Sequence, residues 1–305
     1  MTLTHVLGGG IALAFALASP SLAADKLKVG LITKFPVPFF ATIEDAAKKY
    51  AGENNVELIT GQGQSATDIE GQIALIESMI TQGVQGIAIT PVDPTVAPTL
   101  DKAVAAGVKV VLIDNSIPDW KGQTALVSTN NLNGGKIAGE YLKNVLKEGD
   151  KIGILEGVPG VPALDDRVNG MMEGLGGLKV QVVGKGATNC TQELGTSVAE
   201  DILTANPDLK AIYSACGPPA AGAAQAITNA GIAKDAFILV GFDACCGELE
   251  AIKSGVEDAT VAQFPAKMGE LGIDTVVKAI KGEKVAANVD TGAGLVTAEN
   301  VKDFE

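Results

Sequence analysis

Short apolar runs rich in Val and Ile alternate along the chain with longer amphipathic stretches, and Gly, Pro, Asn or Asp stands at most junctions. The short runs predict β-strands at Lys28–Thr33, Val56–Gly61, Gly86–Thr90, Lys109–Asp114, Ala125–Ser128, Lys151–Glu156, Val180–Gly184, Ala211–Ala215, Phe237–Phe242 and Thr260–Gln263. The stretches between them predict helices at Phe39–Asn54, Ala66–Gln82, Pro94–Ala106, Gly134–Leu146, Leu164–Gly174, Thr196–Ala205, Pro219–Ala230, Cys246–Lys253 and Ala266–Lys281. Largely hydrophobic strands that alternate with amphipathic helices are typical of parallel sheets covered on both faces, so the predicted fold class is α/β.

Two doubly wound parallel sheets explain this pattern better than one. Five predicted strands precede or include Ser128 and about five follow it, so each half has the size of a single domain. Right-handed crossovers place every strand-to-helix loop at one edge of its sheet, where open α/β sheets bind their ligands. If the two carboxyl edges face each other, the halves enclose a cleft.

The N-terminal segment has the features of a secretory signal. The uncharged apolar run Val6–Leu17 is too short for a comfortable membrane span, and the small-residue pattern Ser21-Leu22-Ala23 follows it. We expect residues 1–23 to be a signal peptide cleaved after Ala23, which makes the protein periplasmic. No Lys or Arg precedes the apolar run, so a retained N-terminal anchor is the alternative.

Composition and charge exclude several function classes. The chain has 305 residues, with 23 Lys+Arg against 36 Asp+Glu and a formal net charge of −13, which disfavours nucleic acid and anionic membrane surfaces. The single histidine, His5, lies in the predicted signal, so the exported protein has no histidine for a catalytic triad or a metal site. An enzyme would depend on carboxylates such as Asp165 and Asp166 or on cysteine chemistry. We predict no enzymatic activity, cofactor or metal.

Seven sequence stretches carry a resemblance to a known family. They are Thr33–Phe40, Ile89–Asp93, Leu112–Asn115, Asn131–Tyr141, Arg167–Gly170, Val240–Asp243 and Ala262–Pro265. In their order and spacing over Leu27–Val296, they resemble the periplasmic sugar-binding proteins of the ribose-binding type that serve ABC importers. The resemblance implies a type I periplasmic binding protein fold. Its two lobes, residues 24–129 plus 264–289 and 130–263 plus 290–305, would be joined by three hinge crossovers near Ser128–Asn131, Ala262–Phe264 and Asp290–Gly294.

The same resemblance assigns the main binding positions. Phe39 and Phe40 match the aromatic pair that sandwiches the sugar ring. Asp114 and Asp243 match carboxylates that accept hydrogen bonds from hydroxyls, and Arg167 matches an arginine that donates them. Considered singly, a phenylalanine at a helix start can pack in the core and an aspartate at a strand end can cap a helix. Together at one sheet edge, these residues favour a site for the apolar face and hydroxyl rim of a sugar.

The resemblance also implies further binding positions, at which the residue type varies more within the family. Gln263 matches a glutamine near the hinge, and Thr90, Asn115 and Asn130 fall on binding positions. Cys216 occupies the position of a frequent binding asparagine, which removes hydrogen-bonding capacity. We therefore expect a ligand other than ribose, with fewer or differently placed hydroxyls toward the second lobe.

Four cysteines follow predicted strands of the second half, on the loop-bearing edge. In an oxidising compartment, disulfides are the first interpretation of Cys190, Cys216, Cys245 and Cys246. We expect a bond from Cys216 to Cys190 or Cys246, and we rank a bridge between the adjacent Cys245 and Cys246 last, because neighbours rarely reach relaxed disulfide geometry. Buried free thiols and a four-thiolate zinc site, which no C-x-x-C spacing supports, are the alternatives.

The sequence therefore predicts a monomeric solute-binding protein. It would capture a small sugar or sugar alcohol between two lobes and deliver it to an ABC permease in the inner membrane. The stretch Asp290-Thr291-Gly292 looks like fructose-binding members and favours a ketose or a sugar alcohol. The alternative is a sensory protein that presents a sugar-like signal to a chemoreceptor or sensor kinase.

Overall fold

The described chain consists of alternating strands and helices. The computed structural model describes residues 1–2 and 26–304, so the predicted signal cleavage after Ala23 lies outside the described residues. The strands are β1 Leu27–Thr33, β2 Val56–Gln62, β3 Gly86–Ile89, β4 Lys109–Ile113, β5 Ala125–Ser128, β6 Lys151–Glu156, β7 Gln181–Ala187, β8 Ala211–Ser214, β9 Ile238–Asp243, β10 Ala259–Ala262, β11 Asn288–Asp290 and β12 Gly294–Thr297. The α-helices are α1 Pro38–Glu53, α2 Ile69–Thr81, α3 Ala97–Ala105, α4 Asn131–Val145, α5 Pro162–Gly174, α6 Gln192–Ala205, α7 Gly217–Asn229, α8 Glu248–Ser254 and α9 Pro265–Ile280. Short 3₁₀ turns cover Pro94–Val96, Lys234–Ala236 and Val301–Phe304.

The strands form two six-stranded sheets, as the α/β pattern predicts. Their orders are β11-β5-β4-β3-β1-β2 and β12-β10-β9-β8-β6-β7. The central strands are buried along nearly their whole length, which explains their continuous hydrophobic runs. All ten predicted strands and all nine predicted helices are present, with ends shifted by a few residues. Among the described residues, no helix is long and apolar enough to cross a bilayer.

Two short edge strands are absent from the sequence prediction. β11 pairs parallel to β5, and β12 pairs antiparallel to β10, so the second sheet is mixed rather than wholly parallel. β11 has three residues and only its middle one is half-buried, so it has no hydrophobic run to mark it. Pairing with an existing strand makes these segments strands, and residue type alone does not show such pairing.

The chain crosses between the two sheets three times, as predicted. The crossings follow β5, β10 and β11, because each is succeeded by an element that packs on or pairs with the other sheet. Two crossings are bonded to each other: the Thr129 hydroxyl donates to the Gly292 carbonyl oxygen at 3.3 Å, and the Asn130 amide donates to Asp290 Oδ1 at 3.2 Å. These two connections therefore lie side by side.

Helices α4 and α5 pack with their backbones in direct contact. A Cβ atom at Gly135 would overlap the Arg167 carbonyl oxygen, and one at Gly139 would overlap the Met171 carbonyl oxygen. Gly170 of α5 faces α4 in the same way. Since Arg167 lies in this contact, the glycines set the distance between α4 and a predicted ligand-binding side chain.

Substitution Gly139→Ala should lower the free energy of unfolding by about 1–3 kcal/mol, because the added methyl forces the helix backbones apart. Urea denaturation followed by circular dichroism measures this change. Gly52→Ala in α1 is the matched control, because a Cβ there meets nothing within 4 Å. It should leave stability unchanged or raise it by up to about 1 kcal/mol. Equal effects of the two substitutions would contradict the close-contact explanation.

Candidate functional site

A cavity lies between the carboxyl edges of the two sheets, and most predicted binding residues line it. The predicted residues in its wall are Phe39, Phe40, Asp114, Asn115, Arg167, Cys216, Asp243 and Gln263. They come from loops and helix starts that follow strands of both sheets, together with α5. The parallel topology therefore brings together residues that are far apart in sequence.

Two predicted residues are not in the cavity wall. Thr90 follows β3 and is fully buried; its hydroxyl oxygen has no hydrogen-bond partner, and its carbonyl oxygen accepts a bond from Gln72 Nε2 at 2.9 Å. Asn130 is exposed, and its side chain caps α4 by accepting a bond from the Asn133 amide at 3.1 Å. The structure thus gives Asn130 a helix-capping role.

Asp114 provides a buried carboxylate without a hydrogen-bond donor. It follows β4 with its backbone in the left-handed region, at a φ of 65°, and only 7% of the residue is exposed. Within the described part of the chain no group donates to its side chain, and Oδ1 is fully enclosed. Burial raises the Asp114 pKa, whereas Lys34 and Arg167 act to lower it. An unpaired buried acceptor of this kind is costly unless a ligand supplies donors.

Lys34 is a cavity residue that the sequence analysis did not select. It follows β1, is 5% exposed and lines the same cavity as Asp114. Burial lowers the Lys34 pKa to about 8, and the Asp114 carboxylate opposes that change. Its position directly after a buried strand could have indicated a cavity residue, but a lysine at such a position is ordinarily solvated. With Lys34, the wall holds two basic and two acidic side chains, so its charges balance.

Arg167 is held rigidly on the second-sheet side. Its Nη1 donates to Asp243 Oδ1 at 3.0 Å and to the Ala215 carbonyl oxygen at 2.8 Å, and its Nε donates to Asn131 Oδ1 at 2.8 Å. The guanidinium also lies over the Phe242 ring, 4.0 Å from its centroid. The remaining nitrogen, Nη2, has no protein partner among the described residues. It is therefore available as a donor in a fixed position.

The Asp243 carboxylate is bonded to Arg167, Gln263 and Gly217, which belong to three different segments of the chain. Its Oδ1 also accepts a bond from Gln263 Nε2 at 2.6 Å, and its Oδ2 accepts one from the Gly217 amide at the start of α7 at 3.0 Å. Asp243 has a φ of 107°, an unfavourable backbone conformation for a residue with a side chain. The Gln263 Oε1 atom is buried and without a partner, so it is a further free acceptor.

The aromatic residues form one wall of the cavity. The Phe39 and Phe40 rings meet edge to face, with centroids 5.2 Å apart and planes at 86°. Phe35, which the sequence analysis did not select, packs against Phe40 in the same manner at 5.3 Å. Rings that touch at this angle cannot lie on opposite faces of a ligand. The predicted sandwich therefore needs its second face from another element.

All four cysteines are in disulfide bonds in the described chain. Cys190 is bonded to Cys216, which confirms the expected bond from Cys216. Cys245 is bonded to Cys246, so ranking the vicinal bridge last was wrong. The reason is the backbone, which turns through the left-handed region at Ala244 and Cys246, with φ values of 55° and 61°. Residue type alone marks neither position as left-handed.

A buried acid pair supports the loop with the vicinal bridge. Glu248 Oε2 accepts a bond from the Cys245 amide at 2.9 Å, and Oε1 accepts one from the Thr260 hydroxyl at 2.7 Å. Burial raises the pKa of Glu248 and of Glu257 well above the usual range, and in Glu257 the neighbouring Glu248 raises it further. Burial therefore favours the protonated, uncharged form of these two side chains beneath the loop.

Known proteins resemble this chain over most of its length. A family described as periplasmic binding protein domain matches residues 29–284. The D-ribose/D-allose-binding protein of Pseudomonas aeruginosa is 34% identical over 291 residues, covering 90% of each chain. An ABC transporter solute binding protein from Burkholderia graminis, in complex with D-arabinose, is 29% identical with a TM-score of 0.86, covering 90% of this chain and 97% of the other. One from Bacillus halodurans with bound myo-inositol is 25% identical with a TM-score of 0.84, covering 93% and 99%.

Substitution Lys34→Met should change how stability depends on alkaline pH. Between pH 8 and 10.5 the unfolded chain holds a lysine proton that the folded chain has released, so the contribution of Lys34 to the free energy of unfolding rises with pH. Relative to Lys34→Met, the slope should approach about 1.4 kcal/mol per pH unit. Urea denaturation at several pH values measures it, with the exposed Lys49→Met as control. Parallel pH profiles for unsubstituted and Lys34→Met protein would contradict the burial of this charge.

Proposed function

The chain belongs to the periplasmic binding protein family, and from that premise we propose that it is the solute-binding component of an ABC importer for a small neutral sugar or polyol. The observation that carries this proposal is the buried Asp114 carboxylate, which faces the cavity without any donor from the described protein. Sugar hydroxyls are donors of the kind that it lacks.

The charge and polarity of the cavity support a neutral polyhydroxylated ligand. Asp114 and the Gln263 Oε1 atom offer acceptors, while Lys34 and the Arg167 Nη2 atom offer donors. A hydroxyl can donate to one group and accept from another, so a sugar satisfies both sets. Each hydrogen bond to a charged group contributes about 1.5–3 kcal/mol. A few of them, with one stacked face, are sufficient for micromolar affinity, about −8 kcal/mol.

The ligands named for the relatives indicate the size of the solute. They are D-ribose or D-allose, D-arabinose and myo-inositol, all compact polyhydroxylated molecules of pentose or hexose size. Cys216 in place of a hydrogen-bonding side chain supports a ligand with fewer hydroxyls toward the second lobe. The preference for a ketose or sugar alcohol stays a prediction.

Capture would occur by closure of the two lobes around the ligand. We assign residues 24–129 plus 264–289 and residues 130–263 plus 290–305 to these lobes, with the three connections as the hinge. No bond is broken, because a ligand that binds the closed form more tightly shifts the population toward it. We further propose that the protein is exported with cleavage after Ala23, is a monomer, and delivers its ligand to a permease in the inner membrane. A chemoreceptor partner stays a prediction.

Substitution Asp114→Asn should weaken sugar binding by about tenfold or more, because it replaces the charged acceptor by a neutral one of the same shape. Asn also tolerates the left-handed backbone at this position. A thermal-shift screen of D-ribose, D-allose, D-arabinose, D-fructose and myo-inositol identifies a ligand, and calorimetry then compares affinities.

The matched control for this experiment is Asp119→Asn. Asp119 has a similar φ of 58° but is exposed and lies outside the cavity wall, so its substitution should leave affinity unchanged. Equal affinity of the Asp114→Asn and unsubstituted proteins would remove Asp114 from the site. The absence of any thermal shift across the panel would contradict the proposed ligand class.

A further inference from the structure

The cavity has aromatic rings on its first-sheet side only. Phe35, Phe39 and Phe40 all belong to the loop and helix that follow β1. In the described chain, no aromatic residue from the second sheet or its loops lines the cavity. A sugar has an apolar C–H face on each side of its ring, so one of these faces lacks an aromatic partner.

Both disulfides line the cavity on the second-sheet side. Cys190 lies in the loop between β7 and α6, Cys216 directly precedes α7, and Cys245 and Cys246 lie between β9 and α8. Three consecutive strand-to-helix loops of the second lobe therefore bring sulfur atoms to one surface. Sulfur is soft and polarizable, and it packs favourably against apolar and aromatic groups.

The two bridges lie in different packing environments. Cys216 is buried in a small apolar cluster with Leu164, and Cys190 packs against that cluster. Cys245 packs instead against the cluster that contains Phe39 and Phe40. Cys245 of the vicinal bridge is therefore part of both the first-sheet packing and the cavity wall, while the other bridge is fixed to the second-sheet side.

The vicinal bridge cannot be explained as a stabilising crosslink. A disulfide stabilises a fold chiefly by closing a loop of the unfolded chain, and this effect grows with loop length. The Cys190–Cys216 bridge has a sequence separation of 26, but the Cys245–Cys246 bridge has a separation of 1. Its effect must therefore be local, on the position of the two sulfur atoms.

The surroundings hold the vicinal sulfurs in place. The Cys245 amide donates to the buried Glu248, and α7 approaches so closely that a Cβ atom at Gly217 would lie 3.0 Å from Cys245 Sγ. We propose that the Cys245–Cys246 disulfide, with Cys190–Cys216 beside it, is the second stacking face of the site, so that the sugar ring lies between sulfur atoms and the phenylalanine wall. This inference rests on the proposed function and assigns the group that contacts the second face of its ligand.

The test compares the double variant Cys245→Ala/Cys246→Ala with Ala244→Gly. The double variant removes both sulfurs, whereas Ala244→Gly loosens the same turn and keeps them; a φ of 55° suits glycine. Calorimetry with D-ribose, D-allose, D-arabinose, D-fructose and myo-inositol should show at least about a tenfold loss of affinity for the double variant, comparable to loss of a ring contact. Affinity of Ala244→Gly should stay within about twofold, and the ligand-free melting temperatures should differ little because no long loop is opened.

Three results would overturn the sulfur face and leave the sugar-binding function intact. They are unchanged affinity of the double variant, an equal loss of affinity in Ala244→Gly, and two or more titratable thiols in the unreduced, unfolded protein. Failure of the unsubstituted protein to bind any sugar of the panel would overturn both. A ligand-bound crystal structure adds a direct measurement: Sγ atoms of both bridges should lie within about 4.5 Å of ring carbons, and ring carbons facing other groups would overturn the inference.

Discussion

The buried ion pair between Arg167 and Asp243 is the constraint on which the site depends. Their side chains are 4% and 11% exposed, so both charges are largely removed from water. Taking an ion out of water costs several kcal/mol, and the pair persists because neighbouring groups complete its hydrogen bonds. Asn131, Gln263 and the Gly217 amide do so from three other segments. The pair therefore fixes α4, α5, α7 and the ends of β9 and β10 relative to one another.

On the first-sheet side of the cavity, the buried charged side chains are not paired by hydrogen bonds. Asp114 and Lys34 are as buried as Arg167, yet neither forms a hydrogen bond through its side chain within the described chain. Burial raises the pKa of Asp114 and lowers that of Lys34, so each is less favourable in its charged form than it would be in water. Under the proposed function, the ligand would supply the missing partners on the first-sheet side, whereas the second-sheet side offers groups that are already oriented. A ligand that reaches both sides at once would favour the proposed closed form.

Sequence patterns predicted the parts of the fold that burial determines. Strands covered on both faces are hydrophobic throughout, so their positions along the chain could be inferred, and strand ends then located Asp114 and Asp243 at the cavity. β11 escaped prediction because only pairing with β5 makes it a strand. Asn130 illustrates another limit: a polar residue after a strand can face a ligand or cap a helix, and local backbone geometry decides between them. Lys34 was missed because a lysine that follows a strand is ordinarily solvated, whereas this one is buried in the folded protein.

For the cysteines, sequence predicted the location at one sheet edge, but backbone geometry decided the pairing. Their positions after successive strands predicted that they share one sheet edge, and they do line one cavity. Their pairing depends on the left-handed turn through Ala244 and Cys246, which no residue preference marks. Cys216 stands where the resemblance implies a hydrogen-bonding asparagine, and it lies in an apolar cluster on the second-sheet side of the cavity. Under the proposed function, recognition of hydroxyls would fall mainly on Asp114, Lys34, Arg167 and Gln263, while the disulfides would limit the shape of the ligand.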